Sequence, residues 1–514
     1  ARGDVLIFAS EGDLWRSARN GGTAVRLTSH EETEADAAIS PDGTLVAFTA
    51  SYDSARDVYV MPTTGGVPTR LTFQGGGLRT VGWTPDGKVI FSSRLSGGGQ
   101  AEILYTIDPA GSNPQPIPLW RATDATYGED GRTLFFSRGG LAIGSNDNSV
   151  LYRGGNMAQL WSWKSGSSAE AVQLLPDFGA PIRMPMAYGG RVYFISDKDG
   201  SDAVWSVAED GSGAIRHSQG LDFPVLQASM DGGDIFLQNG ADIHVFSTGS
   251  NTLSTLSINI ITDREQTRER ALKDPINQLQ SARISPSGES VAITARGRVA
   301  LGAPKHLRRV EYAVPMAARA REAITGPDGK WTYMLLDQGL RGDVFRVSAD
   351  GIGQAEAVTK GYDARIWSMI VAPDGKTLVL HDKKARLQKV DIATGRVTLL
   401  AQNATGNDMP FHYLSFSPDG KHITYIEPSG TYLENVYDIY VQNVETGRRA
   451  KASSSKYHDY APAFSHDGAW LYFISDRNFT PSPGHPWGDR HMGVDFPESG
   501  EPKRWVGANM PIGW

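Results

Sequence analysis

A chain of 514 residues, 40% hydrophobic and 21% charged, has the composition of a folded globular protein and the length for two or more cores. Its formal charge is −7, with Lys and Arg nowhere gathered into runs, which excludes the basic footprint of a nucleic-acid or anionic-membrane binder. Without cysteine there is no disulfide, thiolate nucleophile or Cys-ligated metal, and no apolar run approaches the roughly 18 residues of a membrane span.

The opening residues, "ARGDVLIFASEGDLW", enter strand-like alternation at once, with no signal-peptide pattern. Beginning at Ala1 rather than Met, the chain reads as a processed or excised product. The cytoplasm is the expected compartment, with a periplasmic or exported location as the alternative.

From there one grammar repeats. "AISPDGTLVAFTA" fills residues 38–50 and returns as "GWTPDGKVIFSS" from Gly82, "VAPDGKTLVLHD" from Val371 and "FSPDGKHITYIE" from Phe416. The turn or a near relative begins at Asp42, Asp86, Asp130, Gly189, Asp231, Ser287, Asp328, Asp374, Asp419 and Asp467, at spacings of 41 to 59 residues. That is close to the ~40–50 residues of a four-stranded propeller blade. In Ser-Pro-Asp-Gly, Pro presets φ, Asp bonds its own backbone and Gly takes a positive φ, so the chain must reverse.

The run after each turn is apolar on consecutive residues, as in Leu45-Val46-Ala47-Phe48 and Leu471-Tyr472-Phe473-Ile474. This predicts a strand covered on both faces. A further strand follows, as in Asp13-Leu14-Trp15, Asp57-Val58-Tyr59, Asp343-Val344-Phe345 and Asp438-Ile439-Tyr440, and a Gly-rich hairpin leads to an "RLT"-like outer strand, as in "TTGGVPTRLT" from Thr63. Helical spacing is almost absent outside residues 263–281. The expected fold is all-β: two consecutive β-propellers of four-stranded blades. The first is six-bladed over residues 1–258, a connector at 259–284 carries the charged "TDREQTRERALKDP", and five units at 285–514 form an incomplete second propeller.

The chain has no Gly-x-Ser-x-Gly elbow, and its 11 histidines contain no His-Glu-x-x-His. His485 and His491, near Asp489 and Asp495, have metal-like content at a spacing that fits no standard site. "DKDGSD" at residues 197–202 starts like a calcium loop but has Ala208 where an EF-hand needs Glu, so it reads as a turn between strands. The Gly runs at 75–77 and 97–99 read as loops rather than phosphate cradles, because no Gly-Lys-Ser/Thr follows. No catalytic residue, metal or cofactor is expected within these residues. The 12 Trp and 18 Tyr fall mostly at repeat positions and read as core, whereas Trp487, Trp505 and Trp514 lie outside the pattern.

The segments "DVLIFASEGDLWRSARNGGTAVRLTS", "YRGG" at residues 152–155, "TDREQTRERALKDP" and "YHDYAPAFSHDGAWLYFISDRNFTPSP" from Tyr457 closely resemble, in order, the propeller half of tricorn proteases. The resemblance implies a six-bladed propeller, then a seven-bladed one of which five units are here, then a PDZ domain between two peptidase lobes that hold the catalytic serine. It therefore implies a noncatalytic region of a serine peptidase that degrades oligopeptides, gating and guiding substrate or product. Its implied partners are peptides, the catalytic and PDZ portion of the same protein, and further copies in a hexamer. One family feature falls in range, a pair of adjacent arginines that holds a peptide's carboxylate end. The matching loop, "FQGGGLRTVGW", has Arg79 alone; a solvated arginine is the alternative there. The rival function is a TolB-like propeller scaffold that binds protein without enzymatic activity.

Overall fold

The computed structural model describes residues 1–53, 56–73, 77–93, 102–139, 151–154, 157–262, 269, 271–272, 274–303, 309–339, 341–403, 411–428, 436–453, 457–475 and the backbone of 510–511. Among them the only helical element is a 3₁₀ turn, Pro275–Gln278, and the fold is all-β. Two compact units are present, residues 1–150 with 157–270, and residues 151–156 with 271–514. Among the described residues the first holds six four-stranded sheets and the second holds four, followed by a three-stranded one. These are two β-propeller regions.

The repeated turn is held by its own side chains. Ser40 Oγ donates to Asp42 at 2.6 Å, the Leu45 N–H donates to Ser40 Oγ at 2.9 Å, and the Thr44 N–H donates to Asp42 at 3.1 Å. Gly43 supplies the left-handed φ of +78°. Thr84 with Asp86, Ser417 with Asp419 and Ser465 with Asp467 repeat the hydroxyl-to-carboxylate bond. The turns also interlock. A methyl group on Gly375 would stand 3.4 Å from Pro327, one on Gly420 3.5 Å from Pro373, and one on Gly468 3.6 Å from Pro418. The proline of one turn thus packs on the glycine of the next.

A second clip explains the "RLT" strand. Asp57 opens a strand, Asp57–Pro62, and takes Arg70 at 2.6 Å and the Thr72 hydroxyl at 2.7 Å, while Thr72 Oγ1 accepts the Val58 N–H at 2.9 Å. The carboxylate is fully buried and would be costly without these partners. Asp13 with Arg26 and Thr28, and Asp438 with Lys451 and Ser453, occupy the same places.

Among the described residues, nine apolar clusters join successive sheets within the two units. The consecutive apolar runs divide between them residue by residue. Val46 and Phe48 pack toward Ile7 and Leu14, whereas Ala47 packs toward Val89 and Phe91; Leu134 and Phe136 join Ile90, whereas Phe135 joins Val192 and Phe194. Period-two geometry sends neighbours to opposite faces, and both faces are buried.

The residues expected as a connector, 259–284, are not free of strands. Ile258–Ile260 runs parallel to Gly21–Arg26 on the outside of the first sheet, and Leu279–Ile284 opens the first sheet of the second unit. The expected boundary followed the turn, whereas a sheet begins one strand before its turn. The parallel pairing clasps the sixth sheet to the first, with Gly22 donating to the Ser257 carbonyl at 2.8 Å. The same seam carries Arg19, which is ion-paired with Asp231 and donates to Asp234 at 3.1 Å.

Candidate functional site

In the second to sixth sheets the innermost strand is the one before the turn: Glu34–Ile39, Arg79–Trp83, Ala122–Tyr127, Arg183–Tyr188 and Val225–Asp231. Each is hydrogen-bonded to its sheet along one edge only, so the other edge faces the axis of the unit. All five carry a break in register. In two of them the break spans two residues and holds Asp36 at φ +55° and Met184 at φ +54°. Such bulges re-aim side chains next to a working surface.

Beyond the bulges lies a cavity of about 670 Å³. It is walled by Ala37 to Ile39, Val81 to Trp83, Ala125 to Tyr127, Pro185 to Ala187 and Gln227 to Met230, with Leu6, Ile7 and Phe8 from the first sheet. The wall is mostly uncharged. A methyl group on Gly82 would touch nothing within 4 Å, so that strand faces open space. Trp83 is fixed by donation from its Nε1 to the Ala38 carbonyl at 2.8 Å. Among the lining residues only Arg2 and Glu129 have charged side chains. Both are engaged, Arg2 with the Pro41 carbonyl at 3.0 Å and Glu129 with the Gly189 N–H at 3.1 Å.

Most charges of the inner strands lie in or next to the bulges, and Arg79 and Asp124 pair with each other. Arg79 opens its strand; its Nη2 is ion-paired with Asp124 and donates to the Thr123 carbonyl at 2.9 Å. Burial opposes its charge, but Asp124 and Asp36 more than offset this and hold its pKa above the usual arginine value. The second oxygen of Asp124 accepts the Met184 N–H at 3.4 Å, so one carboxylate pins three successive sheets. The second unit repeats the device, with Arg283 donating to Glu322 at 2.6 Å and Glu322 accepting the Met369 N–H at 3.1 Å. Arg183, 1% exposed, meets fully buried Asp202 at 2.5 Å, and Asp202 also takes the Val225 N–H at 2.8 Å.

The "DKDGSD" stretch is a turn between strands, with Asp199 on Arg216 at 2.9 Å and Asp202 on Arg183. His485, His491, Asp489, Asp495, the Gly run at 97–99, most of that at 75–77, and Trp487, Trp505 and Trp514 lie outside the described residues. Among the described residues no three His, Asp or Glu side chains gather into a metal-binding group, and no helix is long and apolar enough to cross a membrane. Sequence reasoning passed over the channel wall. Its trace is a pair of small or uncharged residues shortly before each turn, Ala37-Ala38, Val81-Gly82, Ala125-Thr126 and Ala228-Ser229.

Two family models match in order: the tricorn protease N-terminal beta propeller domain over residues 1–252 and the tricorn protease second beta propeller domain over residues 279–488. A tricorn protease from Thermoplasma acidophilum is 26% identical over 94% of this chain and 44% of its own length. A tricorn protease homolog from Saccharolobus solfataricus is 24% identical over 94% of this chain and 43% of its own. The crystal structure of the tricorn protease superposes with a TM-score of 0.48 and 23% identity, covering 94% of this chain and 46% of that one. The chain thus spans less than half the length of these relatives. Two units of radial four-stranded sheets, each matching the corresponding propeller domain in sequence, show that this chain belongs to the tricorn protease family as its paired propeller region.

Proposed function

We propose that this chain guides peptides within a larger tricorn-like serine peptidase that degrades oligopeptides, bond cleavage being carried out by residues beyond these 514. The observation that carries the reading is the central cavity of the first unit, a neutral space between strand edges in a chain whose residues 1–252 and 279–488 match propeller domains of a protease. Exposed strand edges suit an extended peptide, because main-chain hydrogen bonding does not depend on its sequence. In this reading Asp124 and the Thr123 carbonyl steady Arg79 behind the cavity lining, and the part of its guanidinium that stays exposed meets the carboxylate end of a peptide, the single inner-strand charge left to a ligand. The partners are the peptidase portion of the same protein and further copies in a ring-shaped hexamer, in the cytoplasm.

The test compares the 514-residue chain with the complete gene product on fluorogenic oligopeptides. The propeller chain should release no fluorophore, and the complete protein should. In the complete protein, Gly82→Trp should lower kcat/KM for oligopeptides at least fivefold by filling the passage. Labelling by a small fluorophosphonate on the same sample separates a blocked passage from a damaged active site. Peptide hydrolysis by the 514 residues alone, or indifference to Gly82→Trp, refutes the reading.

A further inference from the structure

The first sheet differs from its neighbours at its inner edge. The Arg19 N–H donates to the Asp4 carbonyl just as the Thr63 N–H donates to that of Thr44, and the Leu27 N–H donates to the Leu14 carbonyl just as that of Leu71 donates to Val58. Val5–Ser10 is therefore the counterpart of Leu45–Ala50, the second strand of its sheet, and the place inside it belongs to a first strand.

A hairpin into that place is already begun. Arg2 and Val5 exchange backbone hydrogen bonds at 2.9 and 3.1 Å across Gly3 and Asp4, with Gly3 at φ +53°. Tyr188 with Arg191, and Asp231 with Asp234, face each other across the same two-residue turn, and there the ladder runs on for the length of the strand. At Arg2 it stops after one rung. The consequences show in the packing. Leu6, Phe8, Phe236 and Leu237, all on second strands, line the central cavity only at this seam. No apolar cluster among the described residues joins the sixth sheet to the first, although one joins every other successive pair in this unit.

We propose that the inner edge of Val5–Ser10 takes an antiparallel strand supplied by the protein's own polypeptide leading into Ala1, which completes the first sheet and the channel wall. The register follows from Arg2 opposite Val5. Ala1 stands opposite Leu6, and the residue joined to its nitrogen stands opposite Ile7. In this pleat Leu6 and Phe8 bond to the strand Asp13–Ala18, so the N–H groups of Ile7 and Ala9 face the inner side and receive the new partners. The other five inner strands set the composition: uncharged and mostly small residues in the two positions before the last, with a bulge ahead of them. The channel is then walled by six first strands.

The experiment is amide hydrogen exchange on two proteins, the 514-residue chain and the same chain carrying the ten residues encoded immediately ahead of Ala1. The extension should slow exchange at Ile7 and Ala9 at least tenfold, leave Leu6 and Phe8 little changed, and raise Tm. A Gly-Ser extension of equal length should do neither. Three results overturn the proposal: Ile7 and Ala9 unprotected by the natural extension; protection by Gly-Ser as well; or protection in the 514-residue chain that grows with protein concentration, which would assign the edge to a second copy.

Discussion

Removing one partner of the Arg183–Asp202 pair tests whether the inner strands are held by charge. The two side chains are 1% and 0% exposed, and both carboxylate oxygens lie 2.5 Å from Arg183 Nη2. Asp202→Asn keeps the shape and deletes the counter-charge. It leaves a buried guanidinium with Asp197 and Asp124 as the main remaining anions that act on it. Breaking one side of a buried ion pair costs about 3–5 kcal/mol, and the two remaining carboxylates place this case in the lower half of that range. At about 2–4 °C per kcal/mol for a unit of this size, Tm should fall by roughly 6–16 °C in scanning calorimetry. Exchange should accelerate first in Arg183–Tyr188 and Val225–Asp231, because Arg183 also donates to the Val225 carbonyl at 3.3 Å. Arg183→Met with Asp202→Leu removes both charges and should recover most of the loss. A fall of under 2 °C for Asp202→Asn, or a double variant as unstable as the single one, would show that the pair is not a desolvated clamp.

Three further outcomes follow from single positions. A Cβ on Gly395, at φ +71°, would stand 2.6 Å from the Val358 carbonyl, whereas one on Gly87, at φ +84°, would meet nothing within 4 Å; urea melts should show Gly395→Ala costing about 2 kcal/mol or more and Gly87→Ala only about 1 kcal/mol of backbone strain. Gly21→Val would drive its side chain into the Ser257 carbonyl, 2.5 Å from the Cβ position, and should free the clasp, seen as fast exchange confined at first to Ile258–Ile260 and Gly21–Arg26. His381 is fully buried, and burial followed by repulsion from His412 lowers its pKa to about 3 from the ordinary 6.5. The unfolded chain thus takes the proton first: the stability this group confers is complete above pH 6.5 and declines as pH falls toward 3, at up to about 1.4 kcal/mol per pH unit. His381→Phe should remove that decline, gaining about 2 kcal/mol on the parent between pH 7 and pH 5; parallel stability curves would refute the assignment.

What could be read from the sequence was whatever the chain settles locally. The turn at Ser40 to Thr44 closes on its own side chains, and the run Val46-Ala47-Phe48 announces two buried faces without naming the neighbours. The clip of Asp57 with Arg70 and Thr72 was visible only as a recurring "RLT", because its logic needs a carboxylate 15 residues earlier. The ion pairs of the inner strands were not legible. Arg79 and Asp124 lie 45 residues apart, in different sheets, and nothing around either residue says that they meet. The channel wall was missed for a related reason: a bulge shifts which residues face the axis, and alternation in the sequence does not show where pairing slips.

The repeated clip bears on what the channel can recognise. Arg79 and Asp124 in the first unit, and Arg283 and Glu322 in the second, have the same construction: one carboxylate oxygen takes an arginine from the preceding sheet and the other takes a backbone N–H from the next. A carboxylate that joins three sheets must keep its partners, since releasing one leaves a charge without water or counter-ion. The charges of the inner strands are therefore largely bound into the wall, and a passing peptide meets mainly what lies beyond them, strand edges and uncharged side chains. Discrimination in such a passage falls on the width and extension of the peptide and on the cost of bringing a charged side chain past a wall whose charges, the exposed part of Arg79 apart, are already engaged. Gly82→Glu would supply a free carboxylate. Because a Cβ at that position meets open space, the carboxylate would project into the passage, and the complete protein should then favour basic oligopeptides over neutral ones by a several-fold change in kcat/KM; an unchanged ranking would mean that peptides do not travel past this strand.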